Sequence, residues 1–421
     1  MTCRAHEAIA IVVAISFASA ASARAQGGDE VASDQTPAIV TRLALKTSAL
    51  FAQAPDDPVL FPDQSSATLY WRGRLDSAIR IGDHASFIVA YEQQLRAFTS
   101  ESGLTAVLPA LAPPAFRIKP LDWEIASTDH ALWQHEIDRL ALHASFGGTT
   151  LTLGRQAVGW GRGVMFSAID LFSPFTPLEA DREWRRGIDA ARAEIRLSDR
   201  SSVDAVAAFG PTIAQSAAVA RVRGYAGRAD VEIAGGRRAG DTFVGATTSA
   251  PIKGAEVHGE VAVFQTPAVE GSSVFATPRT IAKAVVGASR RLPWGGVLVE
   301  GEYHYSGFGA PGHQDLAPFL ADPEVQLRYL RGDTQILRRH AIGVAATYDK
   351  SPLLSFGARW VHTGADDSGV VMPTLDATFS DRWSLEATGY VPYGRPPTGL
   401  SIPTLYGVTP LGLFVQLRFY R

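Results

Sequence analysis

Apolar and polar residues alternate at every second position along most of the chain from Ala67 onward. The segments 69–81, 255–264, 383–391 and 411–419 are the clearest, and each sets one apolar face against one polar or charged face. A period of two is typical of β-strands whose two faces meet different surroundings. Few runs longer than one turn keep a helical period. The pattern predicts an all-β protein whose strands have a uniformly apolar face and a charged face.

The links between these strands separate two architectures that periodicity leaves open, a soluble sandwich and a membrane barrel. Short links fall at Gly82-Asp83, Gly147-Gly148, Ser198-Asp199-Arg200, Leu292-Pro293-Trp294, Asp349-Lys350-Ser351 and Ser380-Asp381. Long links fall at 99–131, 155–186, 266–278, 307–334 and 393–409. Strict alternation of short and long links is expected of a transmembrane antiparallel up-and-down β-barrel, which has short periplasmic turns and long extracellular loops. Such a barrel must close, because backbone groups in hydrocarbon have to pair within the protein.

The same rule predicts the number of strands. About seventeen strands follow Ala67, and their first link is short, so an earlier strand must run in the opposite direction. The segment 41–51, TRLALKTSALF, is the candidate for that strand. The total becomes about eighteen, with sixteen as the alternative because the strands in 214–250 are hard to delimit.

The N-terminus has the features of a cleaved export signal. Arg4 and His6 precede an apolar run over 8–20, and Ala23-Arg24-Ala25 supplies the small residues that signal peptidase requires. An uncleaved membrane anchor is the weaker alternative, because the run is too short to cross a bilayer. We therefore divide the chain into a signal peptide, 1–25, and one barrel domain, 26–421. Cleavage removes Cys3, the chain's one cysteine, which excludes disulfides and a cysteine nucleophile in the mature protein.

Three sequences in 154–197 carry a family resemblance: GRQAVGWG, AIDLFSPFTP and DREWRRGIDAARAEIRL. They resemble a segment of porin-like outer-membrane proteins of Gram-negative bacteria, including families akin to the alginate-export type. The resemblance implies an outer-membrane location, contact with lipid, lipopolysaccharide and the barrel-assembly machinery, and transport of solutes. One departure concerns the C-terminus: such barrels usually end on an aromatic residue, whereas this chain ends Phe419-Tyr420-Arg421.

The long link 155–186 is the candidate constriction. A barrel of sixteen to eighteen strands leaves an aqueous lumen, and a loop folded into it would narrow the path. Such a loop stands in water and must be polar. Guanidinium groups can pair with carboxylates and stack on indole rings, which would fix the loop. The candidate residues are Arg155, Trp160, Arg162, Asp170, Asp181, Arg182, Glu183, Arg185 and Arg186. The alternative is that these charges only tie an ordinary extracellular loop to the barrel rim.

Charged residues on the strands are candidates for the lumen wall. They are Arg72, Arg74, Arg80, Arg96, Arg192, Arg196, Glu256, Glu260, Glu300, Glu302, Arg339 and Arg359. Most are expected to be solvated wall residues without a specific solute contact. The predicted function is passive diffusion of small hydrophilic or anionic solutes through an outer-membrane channel.

Other functions have weaker support. The sequence contains no G-x-S-x-G motif, and His135-Glu136 has no second histidine one turn later. We therefore expect no catalytic residues, metal, cofactor or nucleic-acid partner. A structural or adhesin-type barrel is the main alternative, because of the long links 99–131 and 307–334. An outer-membrane lipid hydrolase is less favoured: His362 is a candidate outward histidine, but no serine partner accompanies it.

Overall fold

A computed structural model describes residues 38–99, 114–293 and 295–421. The predicted signal peptide and Trp294 lie outside the described residues. The described chain contains nineteen β-strands and two short α-helices. The strands are β1 (Ile39–Gln53), β2 (Ser65–Ile81), β3 (Ala85–Phe98), β4 (Asp122–Thr128), β5 (Ala131–Phe146), β6 (Thr149–Gln156), β7 (Ile188–Ser198), β8 (Ser201–Ala208), β9 (Ala217–Ala226), β10 (Ala229–Arg238), β11 (Asp241–Ile252), β12 (Ala255–Thr266), β13 (Arg279–Arg291), β14 (Leu298–Ser306), β15 (His340–Ser351), β16 (Leu354–Thr363), β17 (Ser368–Ser380), β18 (Trp383–Tyr393) and β19 (Leu411–Tyr420). The helices are α1 (Ala317–Leu320) and α2 (Pro323–Leu330).

The sheet closes into a barrel because β1 pairs with both β2 and β19. Every strand pair in the ring is antiparallel, and β3 pairs directly with β5, so β4 stands outside the ring and eighteen strands form it. The predicted antiparallel barrel of about eighteen strands is confirmed, as is the first strand near 41–51. Among the described residues, no helix is long and apolar enough to cross a membrane.

The wall above the short strand β6 is completed by an earlier part of the chain, 114–128. β4 pairs with the part of β5 that extends beyond β6. The carbonyl oxygen of Phe116 accepts a hydrogen bond from the backbone N–H of Asp189 at 2.9 Å. Arg155 joins the pieces: its Nε donates to Asp189 at 2.7 Å, and its guanidinium also donates to the carbonyl of Lys119 at 2.7 Å. The segment therefore seals the gap that β6 leaves.

The two ends of the barrel differ in the length of their links. At the short-turn end the links are 82–84, 147–148, 199–200, 227–228, 253–254, 292–297, 352–353 and 381–382. At the long-loop end they are 54–64, 99–130, 157–187, 209–216, 239–240, 267–278, 307–339, 364–367 and 394–410. Strict alternation is wrong at 239–240 and 364–367, which are short links at the long-loop end. Ala239 and Gly240 both have positive φ, 47° and 93°, which suits a tight two-residue hairpin turn. The turn expected at 349–351 is also displaced, because β15 continues to Ser351.

Side-chain exposure shows which face of each strand points outward. Leu75 and Val261 are 42% and 47% exposed on the outer surface, whereas their neighbours Arg74 and Glu260 are each 4% exposed inside the barrel. The apolar faces therefore form the outer surface, and the charged faces enclose the lumen.

The prediction of a uniformly charged inner face is wrong for β8 to β13. Inward-pointing residues there include Val206, Val219, Phe243, Phe264 and Ile281, all of them buried. They belong to one apolar cluster together with residues of the link 157–187. Apolar residues are stable on the inner face here because a folded loop covers them and keeps them out of water.

Candidate functional site

The link 157–187, here called the inner loop, folds into the lumen and follows the inside of the wall. It begins after Gln156 and ends before Ile188, two residues that pair directly between β6 and β7. Between these points it contacts wall strands around the barrel, and it returns once, from Glu302 of β14 at Phe166 to Glu260 of β12 at Ala168. The contacts run from Trp160 to Asp204 on β8, Arg162 to Glu232 on β10, Ala168 to Glu260 on β12, Phe166 to Glu302 on β14, Pro177 to Arg359 on β16, Leu178 to Tyr390 on β18, Asp181 to Gln416 on β19 and to Lys46 on β1, and Arg186 to Glu136 on β5.

Two wall carboxylates hold the first half of the inner loop. Glu260 accepts hydrogen bonds from the backbone N–H groups of Arg162, Gly163, Ala168 and Ile169, and from the Ser167 hydroxyl. Glu302 accepts from the N–H groups of Val164, Met165 and Phe166, and contacts His258 Nε2 at 2.8 Å. Hydrogen bonds to an ionised acceptor are about twice as strong as neutral ones, so these carboxylates fix the backbone of the loop.

The face of the inner loop that points to the wall is apolar. Met165, Phe166 and Ile169 are buried between the loop and β11 to β15. Glycines make room for them: a Cβ on Gly245 would lie 2.9 Å from Ile169 Cδ1, and one on Gly343 would lie 2.8 Å from Met165 Sδ. The expectation that a loop in the lumen must be polar is therefore wrong for this face, which packs against the wall.

The second half of the inner loop is held by charged residues. Arg182 donates to the carbonyls of Val164 and Thr176, and Arg185 forms an ion pair with Asp170 at 2.6 Å. Lys46, buried on β1, lies 2.7 Å from Asp181 and 2.8 Å from Glu183.

Trp184 of the inner loop lies among cationic side chains of β1 and β2. Its ring is 3.8 Å from Lys46 Nζ, 4.7 Å from the Arg72 guanidinium and 5.0 Å from that of Arg74. Cations over an indole face are attracted to its π-electrons. The indole therefore contacts three positive side chains of β1 and β2 and ties this part of the inner loop to those strands.

A second loop, 307–339, also enters the lumen and carries α2. Asp333 is buried and forms ion pairs with Arg238 of β10 and with Arg328 and Arg331 of its own loop. Burial by itself would raise the pKa of the Asp333 carboxyl, but these three guanidinium groups hold that pKa far below its usual range. Gly332, with φ +81°, lies against Pro174 of the inner loop. The two loops thus meet inside the barrel.

Between the loops and the wall lies a cavity of about 170 Å³, here called the opening. Its rim includes the aromatic residues Tyr70, Phe172, Phe175, Trp184, Tyr329 and Phe414, and the charged residues Arg72, Arg186, Arg331, Glu179 and Asp181.

The two acids of the opening differ in protonation. Burial raises the pKa of Glu179 to about 7. Burial acts in the same direction on Asp181, but Lys46 and its hydrogen bond keep that carboxyl's pKa below its usual value. Arg72, Arg186 and Arg331 lie on the same rim, so its formal charge is positive and becomes more positive when Glu179 takes up a proton.

The structure brings only some of the predicted constriction residues to the opening. Asp181 and Arg186 lie on its rim. Glu183 and Arg185 lie beside it: Glu183 is paired with Lys46, and Arg185 is paired with Asp170. Trp160, Arg162 and Arg182 anchor the inner loop away from the rim. Arg155 lies in the wall seam above β6, where it has the alternation parity of the outward-facing Leu151 and Leu153.

The predicted wall residues also divide by position. Arg72 lies at the opening, whereas Arg74, Glu260, Glu302 and Arg359 bind other residues of the lumen. Arg192 pairs with Asp204, Arg96 stacks on Phe98, and Glu300 is half-buried. Arg80, Arg196 and Glu256 are exposed near the short-turn end. Arg339 precedes β15 and donates to the carbonyl of Gly309, so it belongs to the loop 307–339.

Sequence reasoning missed the contribution of the second loop. Tyr329, Arg331 and Asp333 come from RYLRGD, which comprises the last turn of α2, a helix capped by Asp322, and the charged turn that follows it. A charged turn after a helical stretch is a pattern from which the sequence could have indicated a structured loop. Lys46 was also missed, because an isolated lysine on a strand has no pattern of its own. Among the described residues, no cluster of three or more His, Asp or Glu side chains could hold a metal ion.

Comparisons with known proteins show a shared fold. The chain is similar to the crystal structure of Acinetobacter baumannii OccAB4, with 10% identity, a TM-score of 0.55 and coverage of 92% of this chain and 99% of that one. It is similar to a BenF-like porin from Pseudomonas fluorescens Pf-5 at 9% identity, TM-score 0.56 and coverage of 91% and 98%. Pseudomonas aeruginosa OccK5 (OpdH) matches at 9% identity, TM-score 0.52 and coverage of 90% and 97%. No protein-family model and no curated protein matches the sequence.

Proposed function

We propose that the protein is an outer-membrane channel of a Gram-negative bacterium through which small hydrophilic solutes diffuse passively. The observation that carries this proposal is the inner loop, which lies inside a closed eighteen-strand barrel and leaves a charged, aromatic-lined opening. A barrel with an apolar exterior and a polar interior is suited to lipid outside and water inside. Similarity in fold to a protein described as a porin agrees with this function.

The loop lengths give the orientation. The long-loop end faces the cell exterior and the short-turn end faces the periplasm, as in bacterial barrels generally. Lipid and lipopolysaccharide surround the exterior, and the assembly machinery inserts the exported chain after cleavage of residues 1–25. Arg421 and Leu43 exchange two backbone hydrogen bonds of 2.8 Å, which extend the pairing of β19 with β1 by one residue. Kinship with the alginate-export type, suggested by the motifs in 154–197, is part of this proposal.

The opening favours anions. Arg72, Arg186 and Arg331 line it, and each shares its carboxylate partner with a further arginine: Glu92 is shared with Arg74, Glu136 with Arg117 and Asp333 with Arg238. Its two acids are weakened as cation sites, because Asp181 is paired with Lys46 and burial raises the pKa of Glu179 to about 7. Guanidinium groups bind planar oxyanions in two-point contacts, and the aromatic rim can pack the apolar part of a solute. We therefore expect small organic anions to pass more readily than cations of the same size.

Ion conductance and solute uptake test the proposal. Purified protein in planar bilayers should give steady single-channel conductance with anion-selective reversal potentials in a salt gradient. Liposome swelling should be faster with small sugars and carboxylates than with larger sugars. Absence of conductance and of swelling would reject the channel and leave a structural or adhesin-type barrel. Hydrolysis of phospholipid in micelles would instead support a lipase, although His362 is engaged by Tyr393, whose hydroxyl lies 2.9 Å from Nδ1.

A further inference from the structure

Two histidines lie beside each other on the outer surface of the barrel, near the long-loop end. His340 of β15 is exposed on the same face as Ile342, and Ile342 is the pairing partner of His362 on β16. His340 and His362 are therefore diagonal neighbours on one face, at a spacing across which long side chains can reach one ligand. Aromatic rings of β14, β16 and β18 surround them. We call the following six residues the outer patch: Tyr303, Tyr305, His340, Trp360, His362 and Tyr393.

The outer patch lies where the apolar exterior of the barrel ends. His340 is eleven residues from Ser351, at the short-turn end of β15, and Tyr393 is ten residues from Trp383, at the same end of β18. Ten residues of a strand tilted by about 40° rise roughly 25 Å, which is the height of the apolar band of bacterial barrels. On the far side of the patch, Asp367 is 94% exposed, as expected of a side chain in water. The patch therefore lies at the level of the lipid headgroups.

Hydrogen bonds within the outer patch assign the proton on each imidazole. Trp360 Nε1 donates to the Tyr393 hydroxyl at 2.8 Å, and that hydroxyl lies 2.9 Å from His362 Nδ1. Because the hydroxyl accepts from the indole, its own proton is available for His362 Nδ1. The Tyr303 hydroxyl lies 2.6 Å from His340 Nδ1 in the same way. A neutral imidazole that accepts at Nδ1 carries its proton on Nε2, so each histidine presents an Nε2–H donor.

These two donors have no acceptor in the part of the chain that the structure describes. Asp367 Oδ1 is 3.9 Å from His362 Nε2, which is too long for a hydrogen bond. A donor left unpaired against hydrocarbon is costly, whereas the headgroup region supplies phosphate and sugar oxygens as acceptors. The patch thus presents two oriented donors framed by aromatic rings.

We infer that the outer patch binds the phosphorylated sugar headgroup of lipopolysaccharide, with Nε2–H of His340 and Nε2–H of His362 donating to one phosphate. Hydrogen bonds to an ionised acceptor are about twice as strong as neutral ones. Tyrosine and tryptophan rings favour the headgroup level because one end of each is apolar and the other polar. The long-loop end faces the leaflet that contains lipopolysaccharide, which selects this source of phosphate over phospholipid. The inference rests on the proposed outer-membrane orientation and does not depend on what the lumen conducts.

Binding of lipid A to the purified barrel in mild detergent, measured by native mass spectrometry, tests the two donors. His340→Phe combined with His362→Phe keeps a ring at each position but removes both N–H groups, and should weaken binding of bisphosphorylated lipid A by about tenfold. The corresponding double change to Gln keeps an N–H donor at each position and should retain most of the binding. His84→Phe removes an exposed histidine at the opposite, short-turn end, and as the matched control should bind as the wild type does.

A comparison of ligands on the wild-type protein needs no variant. We expect dephosphorylated lipid A and phosphatidylglycerol each to bind about tenfold more weakly than bisphosphorylated lipid A. Equal binding of bisphosphorylated lipid A by the wild type and the double Phe variant overturns the inference. So does binding of phosphatidylglycerol as tight as that of lipid A. Conductance in phospholipid bilayers free of lipopolysaccharide tests the channel separately, so a conducting barrel that ignores lipid A contradicts this inference alone.

Discussion

The carboxylate of Glu260 accepts the backbone N–H of Ala168 at 2.6 Å, although 92 positions separate the two residues in the chain. One acid on the wall thereby fixes the path of the inner loop by bonding to its backbone. Backbone groups are bound whatever the side chains are, so this contact restricts the position of the loop and leaves its sequence free to vary.

Removal of Glu260 should release the first half of the inner loop. Glu260→Ala leaves several backbone N–H groups unpaired and should destabilise the folded loop by about 3 kcal/mol or more. We expect noisier and larger single-channel currents, measured in planar bilayers. Glu256→Ala, on the same inner face but exposed, is the control and should leave the currents unchanged. Identical currents in both variants would contradict the anchoring role of Glu260.

Loss of Lys46 should release the second half of the loop. Lys46→Met leaves Asp181 without its cation in a buried place, at a cost of about 3 kcal/mol. Faster liposome swelling with larger sugars is the expected readout. Lys46→Met combined with Asp181→Asn removes the stranded charge as well, and should recover part of the wild-type exclusion. No recovery in the double variant would show that the ion pair is not the cause.

Selectivity for anions should increase as the pH falls from 8 to 6. Because burial raises the pKa of Glu179 to about 7, its carboxyl is ionised at pH 8 and largely neutral at pH 6. Protonation removes one negative charge from the opening. Reversal potentials in a salt gradient measure the change, and Glu179→Gln should show the low-pH selectivity at every pH. A pH response in Glu179→Gln equal to that of the wild type would exclude this group.

The same shift affects stability. A carboxyl whose folded pKa exceeds its ordinary value binds its proton more tightly when folded, so its contribution favours folding at low pH and is lost as pH rises through about 7. Resistance of the barrel to heat in detergent should therefore fall less steeply between pH 6 and 8 in Glu179→Gln than in the wild type.

Asp333 should be required for the position of the second loop. Asp333→Asn leaves Arg238, Arg328 and Arg331 without a shared counter-charge, and breaking buried pairs of this kind costs about 3–5 kcal/mol. We expect higher susceptibility of the loop 307–339 to proteases in intact cells. Asp367→Asn, at a side chain that is 94% exposed, should have no effect.

The sequence was sufficient to predict the barrel because the alternation within each strand indicates which of its residues point outward and which point inward. Val261 and Glu260 are adjacent in the chain and point to opposite sides, as a period of two requires. Phe243 and Phe264 keep the period of two but not the expected polarity, since they are apolar residues that face inward where a loop from elsewhere in the chain covers them. The site was less predictable for the same reason. Nothing in the local pattern of Glu302 indicates that it binds Phe166, 136 positions earlier.

Composition of the segment 155–186 identified the loop, but not the role of each charge in it. Arg155 and Arg186 look alike in sequence, yet one is in the wall seam and the other is at the opening. Arg155 has the alternation parity of the outward-facing Leu151 and Leu153 on β6, whereas Arg186 lies on the inner loop. The segment 114–128 was read as part of a long link, because a strand that pairs on one side only has no partner to reveal it.

Gln156 and Ile188 lie opposite each other on adjacent strands, so the inner loop leaves the wall and returns to it at one point. Insertions or deletions between those residues that keep the apolar contacts of the loop with β8 to β13 would leave the register of every wall strand intact. Evolution can therefore change which solutes such a protein admits while it keeps the barrel that inserts into the membrane. An engineer could replace parts of the same loop for that purpose.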